Sequence, residues 1–337
     1  MKLKKNQSKQ ITALIMMLVF ICMLSGGCSK PVPVSEPLAT WNNGETQKRI
    51  IEYVTEVKKS VPVEDRIAVF DMDGTIVCEK PLWLEMNVAL MHMYREVEED
   101  PSLKDQKIYE FVYEFVQDPL NPTYQAEFET YVQPILLEAY DDVSQEIYIS
   151  DVETFINDNK NKDYDILLSK TFYEPMLELI TYLMDSEFKV YIVSGSEEGL
   201  IWGVTKGTLP LERDHLIGSR LMLAPDYNTS DVLVRGNAFY EPKNLKDGKT
   251  ENIYYQLGEK PIFACGNSVD DFGMLSYAST NTEYPSLGLL VNHDDAEREY
   301  VYPINERHES IDWQAIVKDK GWHVISIKGD FETVFMQ

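Results

Sequence analysis

Arg66 to Val77 reads RIAVFDMDGTIV. Ile67, Ala68, Val69 and Phe70 run unbroken into Asp71. A short continuous apolar run of this kind predicts a strand buried on both faces of a parallel sheet. Asp71, Met72, Asp73, Gly74 and Thr75 follow at its carboxyl end, the edge at which open α/β sheets bind ligands. Gly74 lets the backbone turn sharply and approach a ligand closely. Two carboxylates separated by one residue at such an edge suit phosphoryl transfer to a carboxylate. Asp71 is placed to attack phosphorus. Asp73 is placed to protonate the leaving oxygen and then to deprotonate the attacking water.

Further along, other apolar runs end in polar residues in the same way. Lys189 to Val193 (KVYIV) leads into Ser194 and Gly195, and Pro261 to Cys265 (PIFAC) leads into Gly266, Asn267, Ser268, Val269, Asp270 and Asp271. Leu287 to Val291 (LGLLV) leads into the polar cluster His293 to Tyr300, and His323 to Ile327 (HVISI) is a final strand. The cluster suits either a place beside the site or an N-cap by Asp294. A serine hydroxyl together with N–H groups at a helix start makes an anion site. Lys243, Lys246 and Lys249 all precede a helical stretch, Thr250 to Leu257. A lysine at a helix start opposes the helix dipole, so another use for its charge is expected, and Lys249 is the choice among the three.

DMDGT resembles the first motif of the haloacid dehalogenase superfamily in its phosphatase form. The second aspartate separates the phosphatases and phosphomutases from the dehalogenases. The later runs supply motifs similar to the second, third and fourth, in the right order. The resemblance implies an α/β fold, a Rossmann-like parallel-sheet core with a helical cap inserted after the first strand, as in phosphoserine phosphatase. It implies Asp71 as nucleophile and Asp73 as acid and base, with Thr75, Ser194, Gly195 and Lys249 on the phosphate. It also implies Mg²⁺ held by Asp71, the backbone of Asp73, Asn267 and Asp271. One departure stands out: the family opens its fourth motif with Gly-Asp, and this chain has Gly266-Asn267. An amide oxygen can still coordinate Mg²⁺, with Asp271 or Asp270 supplying charge.

The cap expected from the resemblance is residues 79–170, and the core is residues 41–78 and 171–337. Leu84, Val88, Met91 and Tyr94, then Ile108, Phe111, Val112 and Phe115, fall at helical spacing inside the insertion. Its aromatics, Tyr94, Tyr109, Phe111 and Phe115, are expected in packing rather than on substrate. Ile50, Ile51, Val54 and Val57 predict a flanking helix. Residues 211–240 read as a hairpin excursion of the core.

The chain has 337 residues and a formal net charge of −25. That charge repels phosphate backbones and anionic lipid, so nucleic acid is not expected as a partner. The start is different in character. Lys2, Lys4, Lys5 and Lys9 precede an apolar run from Ile11 to Leu24, then Ser25, Gly26, Gly27 and Cys28. This is the three-part pattern of a secretory signal peptide, residues 1–27. Its apolar run is short for a transmembrane helix. The small residues before Cys28 resemble the lipobox of bacterial lipoproteins, with Leu24 one place further out than the commonest pattern. The resemblance implies a lipidated Cys28 facing outside the cytoplasm in a bacterial cell envelope, with membrane contact through the lipid alone. Residues 28–40, with Pro31, Pro33 and Pro37, read as a tether. Cys78 and Cys265 then remain as buried thiols without a catalytic role.

The expected function is a Mg²⁺-dependent phosphomonoesterase acting on a small phosphorylated metabolite. A phosphotransferase or phosphomutase with the same first motif is the alternative within enzymes. A catalytically silent lipoprotein that binds a phosphorylated ligand has Asn267 as its sole support.

Overall fold

The computed structural model describes residues 37–227 and 233–337. Its centre is β1 (Ile67–Phe70), buried along its whole length. β1 pairs in parallel with β4 (Lys189–Glu197) on one side and β8 (Phe263–Gly266) on the other. Beyond β4 lies β5 (Leu216–Ser219), and beyond β8 lie β9 (Leu287–Asn292) and β10 (His323–Ser326). All six strands are parallel, in the order β10-β9-β8-β1-β4-β5. The chain moves outward from β1 through β4 to β5, then returns to β8 and moves outward the other way. That reversal opens a crevice at the carboxyl ends of β1 and β8.

The unbroken apolar runs follow from cover on both faces. On one face Ala68, Phe70, Ile192 and Phe263 pack with Ile50, Val54 and Val57 of α1 (Glu45–Ser60) and with Leu179 and Leu183 of α6 (Glu174–Asp185). On the other, Val69, Val193, Ala264 and Leu290 pack with Ile253 of α8 (Asp247–Leu257) and with Met274 and Leu275 of α9 (Phe272–Ser279).

Between β1 and β4 come α2 (Leu84–Glu99), α3 (Lys107–Gln117), α4 (Pro122–Glu138), α5 (Gln145–Asp158) and a small antiparallel pair, β2 (Lys160–Asn161) with β3 (Ile166–Leu167). Phe111 stacks on Tyr131 at 4.1 Å and Phe115 on Phe128 at 4.8 Å. The aromatics thus join α3 to α4. These helices cluster with the rest of Leu38–Gln337 as one unit.

Two readings are corrected. Residues 211–240 are not a hairpin throughout. Leu216 to Ser219 is buried on both faces and joins the central sheet as β5, whereas β6 (Leu221–Pro225) is half-exposed and pairs antiparallel with β7 (Leu233–Phe239). The tether does not reach residue 40, because Leu38 is fully buried and Glu178 accepts hydrogen bonds from the Ala39 and Thr40 amides. The leader, Cys28 and the tether as far as residue 36 lie outside the described residues.

Candidate active site

The carboxyl ends of β1, β4 and β8 open on a cavity of about 240 Å³. Asp71, Asp73, Gly195, Lys249, Asn267 and Asp271 line it. Asp71, immediately after β1, is 5% exposed. Its Oδ1 accepts a hydrogen bond from Lys249 Nζ at 2.5 Å, and its Oδ2 one from Thr75 Oγ1 at 3.1 Å. The same Nζ donates to Asp271 Oδ1 at 2.7 Å. Asp271 Oδ2 in turn accepts from the amides of Asn267 and Ser268, both at 3.0 Å. Burial pushes the Asp71 carboxyl well above the usual carboxylate range and the Asp271 charge adds to that, while Lys249 opposes both. On Lys249 burial opposes the charged form, and the attraction of Asp271 and Asp71 outweighs it, so its acidity falls. A lysine in the first turn of α8 is unfavourable on helix grounds; the two carboxylates supply the reason for it.

Asp73 has a different environment. Its Oδ2 accepts from Ser196 Oγ at 3.2 Å and from Ser194 Oγ at 3.4 Å, and its Oδ1 is buried without a partner. Burial and then the Glu79 charge raise its pKa to about 6, against the pull of Ser196, Lys249 and Ser194. A carboxyl poised near neutrality is what general acid–base work requires. Gly74 has φ of +73°, and a Cβ there would lie 2.0 Å from Asn267 Nδ2, so no other residue fits this turn.

Of the other expected phosphate contacts, Gly195 reaches the cavity, whereas Thr75 and Ser194 are fully buried and do not line it. Thr75 holds Asp71, and Ser194 holds Asp73 while its Oγ accepts from the Ser196 amide at 3.1 Å. β4 runs on to Glu197, so Ser194 and Gly195 sit within the strand rather than at its end. Lys243 turns away to Gln133 Oε1 at 2.9 Å, and Lys246 is exposed at the cavity's edge. Asp270 lies 2.7 Å from His308 Nε2, half-exposed, while Asp271 is buried. Cys78 and Cys265 are free and buried.

Residues 68–276, more than half of the chain, match the family model of haloacid dehalogenase-like hydrolases. The chain belongs to that family. No curated protein sequence matches it. Among solved structures it is similar to a conserved protein of unknown function from Anaerococcus prevotii, with 15% identity and a TM-score of 0.48, covering 74% of this chain and 86% of that one. It is also similar to cytosolic 5'-nucleotidase IIIB bound to cytidine, with 12% identity, a TM-score of 0.43, and 74% and 78% coverage. A phosphoserine phosphatase in its apo form gives 16% identity, a TM-score of 0.36, and 77% and 93% coverage. These are distant likenesses, and the family assignment rests on the family match.

In this hydrolase several cavity residues escape a reading by motif. Ser196 shares a strand face with Ser194, since side chains alternate along a strand, and that period was the available signal. Glu79 accepts from Asn267 Nδ2 at 2.9 Å, so the Asn267 amide oxygen is turned toward Thr75 Oγ1, 3.5 Å away. Trp83 and Glu85, from the start of α2, also line the cavity, and Arg307 lies 5.4 Å over the Trp83 ring. Nothing in their sequence neighbourhood marks them.

Proposed function

We propose that this hydrolase is a Mg²⁺-dependent phosphomonoesterase. It would act through an aspartyl-phosphate on a small phosphorylated metabolite, outside the cytoplasm of a bacterial cell. The observation that carries the reading is the ammonium of Lys249 lodged between the carboxylates of Asp71 and Asp271, beside an unpartnered Asp73 oxygen. Removing Lys249's charge would leave two buried carboxylates facing each other; its ammonium opposes the burial and the Asp271 repulsion that raise Asp71, and so favours the carboxylate form that a nucleophile needs.

Among the described residues no group of three His, Cys, Asp or Glu side chains forms a metal cage. Mg²⁺ needs no such cage: it commonly takes one or two carboxylates, with waters and substrate phosphate completing the shell. Asp71, Asp271 and Asn267 line this cavity with oxygen-bearing side chains, which fits. Asp71, Asp271, the Asn267 amide oxygen and the backbone carbonyl of Asp73 would hold it, where its charge would offset that of the phosphate. The rest falls to the protein's own groups. An Asp71 oxygen attacks phosphorus, the ester P–O bond breaks, and Asp73 delivers its proton to the departing oxygen. Asp73, now ionised, takes a proton from water. That water oxygen bonds to phosphorus, the aspartyl P–O bond breaks, and inorganic phosphate leaves. Positioning and charge provide most of the acceleration in such transfers.

The test is phosphate release from a panel of phosphomonoesters in water, with no other acceptor. Release should depend on Mg²⁺, stop with chelator, and fall to background in Asp71→Asn. Asp271→Asn should raise the Mg²⁺ concentration required far more than Asp270→Asn does. Wild-type turnover in Asp71→Asn would overturn the nucleophile, and transfer only to an added alcohol would make the chain a phosphotransferase.

A further inference from the structure

The polar run after β9 is not a helix and Asp294 caps none within it. Asp294 instead accepts from Ser326 Oγ at 2.7 Å and from the Lys328 amide at 3.0 Å. His293, at the head of the run, is 2% exposed and points the other way, into the back of the DMDGT turn. Its Nε2 lies 2.8 Å from the carbonyl oxygen of Gly74, and its Nδ1 lies 3.0 Å from Glu299 Oε2. Glu299 is itself buried and held on its other oxygen by Tyr173 OH at 2.8 Å and Cys78 Sγ at 3.5 Å. The His293 ring stacks on Tyr302, with centroids 4.1 Å apart.

A carbonyl oxygen only accepts, so Nε2 must carry hydrogen and donate to Gly74. The turn itself explains why a donor from outside is needed. Met72 O accepts from the amides of Thr75, Ile76 and Val77, and Gly74 N donates to Val77 O. None of those bonds uses the Gly74 carbonyl, which is buried at a residue with φ of +73°. A buried carbonyl without a donor is costly. We propose that His293, oriented by Glu299, is a positioning residue that clamps the Gly74 peptide and so sets where the adjacent Asp73 carboxyl stands. The assignment rests on the acid–base role given to Asp73 above. His293 touches neither substrate nor reacting atoms in this scheme and works through the turn. Because Cys78 and Tyr173 fix Glu299 from two sides, the histidine ring has one orientation available.

The consequence is a selective kinetic defect. An alkyl phosphate needs its leaving oxygen protonated, whereas a nitrophenolate departs without that help. A group misplaced by about 1 Å can cost ~10²-fold, and here the loss should fall on the step that uses Asp73. His293→Ala should therefore lower kcat/KM for an alkyl phosphate at least about tenfold more than for p-nitrophenyl phosphate, within the ~10²–10⁴-fold range of acid–base help. His293→Gln, which retains a side-chain N–H, should recover part of the loss. Glu299→Gln serves as the second variant should His293→Ala fail to fold, and it should show the same skew in milder form.

Amide hydrogen exchange over Met72 to Val77 supplies a readout independent of turnover. It should quicken in His293→Ala while exchange in β9 stays as in the wild type. Equal losses on both esters, or unchanged exchange in the turn, would overturn the clamp. A wild-type protein that hydrolyses neither ester would instead overturn the proposed function. In that event the exchange result alone decides whether His293 holds the turn: quickening there keeps the clamp, and no change removes it.

Discussion

Asp73 and Glu85 are buried carboxyls of one cavity with different surroundings. Two serine hydroxyls stabilise the charge on Asp73, and its pKa rises only to about 6. Glu85 has just the Glu197 amide, 3.1 Å from its Oε1, and no ion-pair partner among the described residues. Burial is the largest cause and the neighbouring charges of Glu197 and Asp73 add to it, against the amide and Arg235, so its pKa reaches about 8. Between about 4.5 and 8 the folded chain then keeps a proton on Glu85 that the unfolded chain has lost. Stability must fall as pH rises through that window, by at most about 1.4 kcal/mol per pH unit from this group. Glu85→Gln removes the titration and keeps the shape. Urea midpoints at the two ends of the window should therefore lie closer together in the variant than in the wild type, the remaining difference coming from Asp71 and Asp73. An equal drop in both proteins would show that Glu85 is not protonated on folding. Asp71, Asp73, Asn267 and Asp271 were legible because each follows a strand whose apolar run announces it, and Lys249 because its charge opposes the dipole at the start of α8. His293 was legible only as part of a polar cluster at the sheet's edge, with its contact to the Gly74 carbonyl unmarked, and Glu85 was not legible, because only packing across the fold brings it to the cavity.

Among elements, the strands of the central sheet were legible for a physical reason: cover on both faces leaves an unbroken apolar signature. The hairpin β6–β7 was misread because its upstream arm joins β5 without a turn signal. Its role lies in one side chain. Arg235 of β7 donates through Nη1 to Glu197 Oε2 at 3.1 Å and to Gln145 Oε1 at 2.8 Å, and it stacks over Tyr148 at 3.7 Å. Backbone bonds join the same residue to Asp142 and Val143, ahead of α5. The hairpin therefore ties the end of β4 to α5. Both partners of the ion pair are buried, with side chains 4% exposed. Breaking such a pair from one side leaves a buried charge and typically costs about 3–5 kcal/mol. Arg235→Met should lose stability of that order in chemical denaturation. Adding Glu197→Gln to it should recover a good part, since no charge is then left unpaired. A single-variant loss under about 1 kcal/mol would mean that water reaches the pair, as for surface ion pairs.

At the scale of the whole molecule, charge and address bear on each other. With 56 acidic and 31 basic residues the chain is repelled by anionic membrane surfaces. Electrostatics cannot hold it to a bilayer, so any membrane attachment must come from acyl chains or from the apolar leader itself. These two differ in what they need. A retained leader needs Ile11 to Leu24 uncut, whereas lipidation needs the Cys28 thiol. The apolar run is short for a span, which favours the thiol. Acyl chains bind by buried hydrocarbon, at about 0.8 kcal/mol per CH₂, and that attachment is indifferent to salt. The wild type expressed in a bacterium should therefore stay with membranes through a high-salt wash. Mass spectrometry of the detergent extract should show a diacyl or triacyl cysteine at Cys28 as the first residue. Cys28→Ala should carry no lipid. If that variant remains on the membrane with residues 11–24 intact, the leader is the anchor and Cys28 is an ordinary thiol.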